Sequence, residues 1–134
     1  MIVPSEGEKT EKITVNMGPV DLGQIDLLVQ EGFYTNRTDF IRTAIRIQLA
    51  ARSEVVAQTM ARRTLTLGSC HYSRRDLEEI RDSGQMTHIR VLGLASFAAD
   101  VSPQLALATI ASVEVLGAFR APAAVKAALA ARIA

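Results

Sequence analysis

From Lys12 to Met17 the chain alternates strictly: Ile13, Val15 and Met17 carry apolar side chains, and Lys12, Thr14 and Asn16 carry polar ones. A period of two predicts a β-strand with one buried and one solvated face. Gly18-Pro19 ends it. The period then lengthens, with Leu22, Ile25, Leu28 and Val29 on one side of a helix and Asp21, Asp26 and Glu31 elsewhere. Gly32 is placed as the residue that closes this helix. Asn36 follows as an N-cap, with Asp39 three residues later as the acidic member of a capping pair. The helix opened there carries Phe40, Ile41, Ala44, Ile45 and Leu49 on its apolar side. Its periodicity extends through Val56 and Met60, as one long helix or a helix plus a short extension.

Beyond Thr64 the grammar changes to strand, glycine, helix, three times over. Thr64–Gly68 precedes a helix capped by Ser73 and closed near Gly84. His88–Gly93 precedes a helix with Ser102 as cap and Pro103 at its first position, and Ser112–Gly117 precedes a last helix around Ala123–Arg132. The second and third segments align at a spacing of 24, matching Ile89 with Val113, Val91 with Val115, Leu92 with Leu116 and Gly93 with Gly117. The first segment is one residue out of step. Such a period predicts a small solenoid-like stack of parallel strands. The expected organisation is a flexible arm over 1–10, a strand-helix-helix unit over 11–52, a helical extension or linker over 53–63, and a strand-helix module over 64–134. The fold class is α+β.

A lone six-residue strand leaves its backbone donors and acceptors unpaired. No second strand is expected in the first 60 residues, so the simplest partner is the same strand of a second copy. Two such strands in antiparallel pairing put their apolar faces on the helices and present Lys12, Thr14 and Asn16 twice. A two-stranded ribbon of this kind fits the DNA major groove. The stretch from Lys12 to Leu49, including KITVNM and the opening TNRTDFIRTAIRIQL, resembles the ribbon-helix-helix family of bacterial regulators (the MetJ/Arc/CopG superfamily). That resemblance implies an intertwined homodimer with Ile13, Val15, Met17, Phe40, Ile41 and Ile45 in its core. It also implies base reading by Lys12, Thr14 and Asn16, and phosphate binding at Thr35, Asn36, Arg37 and Thr38 on the free amides of the second helix.

Composition alters this picture little. Net charge is +1, but Thr35–Arg63 holds six arginines (Arg37, Arg42, Arg46, Arg52, Arg62 and Arg63) against Asp39 and Glu54. A local excess of that kind marks either a phosphate-facing surface or a solvated helix face. The absence of Trp and the few aromatics exclude an aromatic stacking platform for single strands. A single cysteine, Cys70, excludes an internal disulfide framework and fits a reducing compartment. No signal peptide or membrane span is recognisable, which places the protein in the cytoplasm, on the nucleoid.

Cys70, His71 and His88 are the only soft or borderline metal ligands, too few for a site within one chain. The nickel-responsive branch of the resembled family has a richer histidine set, so no metal or other cofactor is expected. No nucleophile–base pair or paired carboxylate set suggests an enzyme. The expected function is sequence-specific binding of double-stranded DNA by a repressor, with residues 64–134 joining dimers into tetramers or larger assemblies. Two alternatives belong to other classes: an antitoxin with a toxin partner, and an architectural protein that coats DNA.

Overall fold

A computed structural model describes residues 2–3, backbone only, and residues 10–134. Helix and strand both contribute, as an α+β fold requires. The chain divides into two compact units, one of Glu11–Thr59 and one of residues 1–10 with Met60–Ala134.

In the first unit, residues 11–18 form neither helix nor ladder and are exposed throughout. The strand expected at 12–17 is therefore absent from the single chain, for the reason the alternation implies: a ladder needs a second strand. Helix α1 (Pro19–Gln30) starts with Pro at its first turn. It ends in a Schellman turn: the Gly32 amide donates to the Val29 carbonyl (3.1 Å) and the Phe33 amide to that of Leu28 (3.0 Å). Gly32 adopts φ +84°, as a residue closing a helix this way requires. Helix α2 (Arg37–Ala51) is interrupted at Arg52, and α3 (Ser53–Arg63) follows, so the long pattern is a helix plus an extension. The boundary between the units falls within α3, later than the expected end of the first unit at residue 52.

The second unit holds a four-stranded sheet in the order β1 (Ile2–Val3), β2 (Thr66–Tyr72), β3 (Thr87–Phe97), β4 (Ile110–Arg120). Strand β1 pairs antiparallel with β2, Ile2 opposite Cys70 and Val3 opposite Ser69. Those two residues were expected to belong to a flexible arm; the rest of that arm, except Thr10, lies outside the described residues. Strands β2, β3 and β4 are parallel. Each pair is bridged by a helix, α4 (Arg74–Asp82) and α5 (Pro103–Thr109), with α6 (Ala123–Leu129) after β4. α4 packs on α5, and α5 on α6. The β3–β4 ladder joins Ile89 to Val113, Val91 to Val115, Leu92 to Leu116 and Gly93 to Gly117, the pairs that a 24-residue spacing aligns. β2 enters one residue out of step, with Gly68 opposite Gly93.

The glycines lie inside the strands, not at their ends as the sequence pattern suggests. Gly68, Gly93 and Gly117 take φ of +127°, +142° and +124° in one aligned column. A side chain on Gly93 would collide with the Gly68 carbonyl, and one on Gly117 with the Gly93 carbonyl. Only glycine combines this backbone with that close approach. Helix starts are as the sequence indicates. The Ser73 hydroxyl accepts from the Asp76 amide (3.1 Å) while the Asp76 carboxylate accepts from the Ser73 amide (3.0 Å), and the Ser102 hydroxyl accepts from the Leu105 amide (3.1 Å). Between sheet and helices lies one apolar cluster that includes Leu77, Ile89, Ile110, Val113, Val125 and Leu129, all fully buried.

Candidate nucleic-acid interface

The first unit contains one buried residue, Ile25 on α1. Phe40 is half-buried and meets Tyr34 edge to face at 5.0 Å between ring centres. The remaining residues expected in a dimer core are open: Ile13 is 77 % exposed, Val15 70 % and Ile45 47 %, with Met17 and Ile41 also exposed. Lys12, Thr14 and Asn16 are exposed beside them. Water thus reaches both the apolar and the polar side chains of the alternating segment.

The start of α2 is built with more order. Asn36 is the N-cap, and its side-chain oxygen accepts from the Asp39 amide at 2.8 Å. The Asp39 carboxylate accepts in turn from the Thr35 amide at 2.9 Å. Asn36 is the cap that the sequence spacing predicts, whereas Asp39 reaches one residue further back than a capping box requires, to the Thr35 amide and not that of Asn36. The first two amides of α2, on Arg37 and Thr38, have no intrahelical acceptor. They are donors left for an anion, together with the exposed side chains of Thr35 and Thr38.

Arg37 has a partner that local spacing did not reveal. Its guanidinium grips Asp26 of α1 in a fork, Nε on Oδ1 at 2.7 Å and Nη2 on Oδ2 at 2.8 Å. This hydrogen bond holds the Asp26 carboxyl below its ordinary pKa and the Arg37 guanidinium above its own. Both groups remain exposed to water, so the fork chiefly fixes the angle between α1 and the α2 N-terminus. A cation at a helix N-terminus opposes the macrodipole, and Asp26 supplies the compensating charge. Of the other arginines in the basic stretch, Arg63 pairs with Glu114 of β4. Arg42, Arg46, Arg52 and Arg62 are exposed and make no ion pair among the described residues.

The sequence profile of a ribbon-helix-helix transcriptional regulator family matches residues 8–126. The chain belongs to that family. Comparison with curated proteins and with solved structures returned no match. The ribbon-helix-helix match runs well past the stretch from Lys12 to Leu49 that carries the visible resemblance, and takes in β2, α4, β3, α5 and β4. The second unit is thus part of what this family of transcriptional regulators shares. No helix among the described residues is long and apolar enough to cross a membrane.

The three metal candidates do not form a site with one another. Cys70 is buried in the apolar cluster, and His71, next in the strand, is exposed on the opposite face. His71 Nδ1 meets the Ser96 hydroxyl at 2.8 Å, and His88 Nδ1 the Ser112 hydroxyl at 2.7 Å, each across one rung of the sheet. Cys70 and His88 do border a common open groove of about 520 Å³ with Tyr72, Arg90 and Val91. Among the described residues no three metal-ligating side chains gather there or elsewhere. Burial pushes the Tyr72 hydroxyl above its ordinary pKa, so it stays a neutral donor.

Proposed function

We propose that the protein is a repressor that binds a palindromic or directly repeated operator as a homodimer. Residues 12–17 of two copies pair antiparallel, and Ile13, Val15 and Met17 close over Phe40, Ile41 and Ile45 of both chains. Lys12, Thr14 and Asn16 then enter the major groove from each strand and read base edges. The amides of Arg37 and Thr38, with the side chains of Thr35, Asn36 and Thr38, seat a backbone phosphate at the start of each α2. Arg37, turned onto Asp26, orients that turn and adds positive potential. The second unit, read as a short strand-helix stack, joins dimers into larger assemblies.

The observation that carries this reading is the exposure of Ile13 and Val15 on an alternating segment without a ladder partner, in a chain of this family. Apolar side chains set on every second residue gain stability only when the other face of a sheet is supplied.

Selection of bound duplexes from random DNA supplies the test site. Fluorescence anisotropy then compares that site with random duplex over a salt series, because phosphate-driven binding alone gives no large specificity ratio. Thr14→Ala or Asn16→Ala is expected to weaken binding to the selected site by about 1–3 kcal/mol per lost base contact, and to leave random-site binding nearly unchanged. Undiminished discrimination in both variants would remove the ribbon from the interface.

A further inference from the structure

The sheet of the second unit is unfinished along most of one edge. On the side of β4 away from β3, Ile133 bridges Val113 in parallel, and the Ala134 amide donates to the Val113 carbonyl at 2.8 Å. Among the described residues nothing pairs with that side of β4 from Val115 to Phe119. An open run of this length is a template for another strand.

Three features of the same sheet specify which strand fits. The first is length and register. β2 joins β3 from Thr66 opposite Val91, and Val91 stands opposite Val115. Laid on β4 in that register, β2 would begin at Val115, just past the Ile133–Ala134 cap. The second is the glycine column. Gly93 and Gly117 each take the preceding strand's glycine carbonyl into the space a side chain would fill, whereas Gly68, with the same positive φ, has nothing within 4 Å among the described residues. Among those residues its slot is the one place in the column without a carbonyl. The third is the leucine row on the outer face. Leu92 lies half-buried in the middle, while the two ends, Leu67 and Leu116, are 66 % and 42 % exposed.

We propose that β2 of one copy docks on β4 of another, head to tail, with Gly68 receiving the Gly117 carbonyl and Leu67 covering Leu116. The contact is heterologous, so it propagates into rings or open chains. β1 holds the competing position. It pairs with Ser69 and Cys70, the two residues that would face Ala118 and Phe119 of the incoming copy. The edge of β2 therefore accepts either its own N-terminal strand or a second molecule. This deepens the reading of the second unit as the part that joins dimers, and rests on it.

Sedimentation velocity of the full chain across the micromolar range tests the contact, with circular dichroism to verify that each variant is folded. Species larger than the dimer are expected. Leu67→Glu and Leu116→Lys, both at exposed sites, should each raise the concentration needed for them by roughly tenfold or more, since each leaves a charge against a leucine. An equimolar mixture of the two variants should associate again, because one of its seams pairs Glu with Lys. Removal of Ile2 and Val3 should lower the concentration needed. Wild-type association in either single variant, or a mixture no better than its parts, would overturn the docking. An unchanged midpoint without Ile2 and Val3 would overturn the competition. A dimer with no larger species would sink the edge contact and leave the DNA-binding dimer standing. Conversely, Leu116→Lys reducing a dimer to monomers would overturn that dimer and keep the edge.

Discussion

Between Met60 and Ala134 fourteen buried residues make one cluster, whereas from Glu11 to Thr59 Ile25 is the one residue buried. The contrast is not one of composition, since both units are rich in Ile, Leu and Val. It lies in how the apolar positions are distributed. The second unit places a helix after each of three parallel strands, so sheet and helices cover one another within one chain. The first has α1, α2, the start of α3 and one alternating segment, which do not enclose their own apolar faces. Under the dimer reading, the faces left in water at Ile13, Val15, Ile45 and Leu49 gain their remaining stability when a second copy covers them.

The largest test of that contrast is Val15→Asp. In the single chain Val15 touches mostly water, so an effect confined to the isolated chain should be small. Under the dimer reading, two buried aspartates face each other at the strand pair. DNA binding and dimerisation should be lost, with the unfolding of the second unit unchanged in a thermal melt followed by circular dichroism. Persistence of tight DNA binding would erase the proposed difference between the halves. Leu77→Ala reverses the design. It opens a cavity in the self-sufficient cluster and should cost about 2–5 kcal/mol in urea unfolding, whether or not DNA is present. A loss that disappears on DNA binding would mean that the two units do not fold independently.

Smaller effects are expected at the helix starts. Asn36→Ala removes the cap that accepts from the Asp39 amide and should cost about 1 kcal/mol of stability in the first unit. Because that cap also shapes the proposed phosphate seat, affinity for selected and random DNA should fall together. A loss for selected DNA alone would assign Asn36 to base reading. The smallest effect is that of acid on α4. Accepting the Ser73 amide is the main reason the Asp76 carboxyl sits below its ordinary value of 3.8. A lowered carboxyl pKa contributes stability that is fully present above 3.8 and is lost as the pH falls through the native value beneath it. The stability gap between wild type and Asp76→Asn should therefore be constant near neutrality and close below about pH 4, as read by urea midpoints.

Which parts were readable beforehand follows from how far the information had to travel along the chain. Asn36 with Asp39, Ser73 with Asp76, and Ser102 with Pro103 are local signals, and the helices begin at them. The residues of β3 and β4 that a spacing of 24 aligns, Ile89 with Val113 through Gly93 with Gly117, are legible in the sequence and face one another in the ladder. The Arg37–Asp26 fork was not, since eleven residues and a turn separate its members and only the packing of α1 brings them together. The place of the glycines was misjudged for a related reason. Glycine usually marks a strand's end, and here its small size answers a neighbouring carbonyl that no single segment reveals. The alternation at 12–17 predicts a strand, but a ladder is a property of two segments, and among the described residues no second segment pairs with this one.

The glycine column also has a direction, and a mutational record would show it. Each carbonyl fills the slot of the glycine that follows, so Gly93 and Gly117 are locked by atoms of the same molecule, and no described residue does this at Gly68. In a library of random codons screened for folding alone, positions 93 and 117 would return glycine. Position 68, where φ +127° strains any side chain but no carbonyl of the described residues fills the space, would favour glycine less strictly than 93 and 117. Screened for assembly, all three would stay glycine. The difference between the two libraries at one codon would separate what the fold demands from what a neighbouring molecule demands.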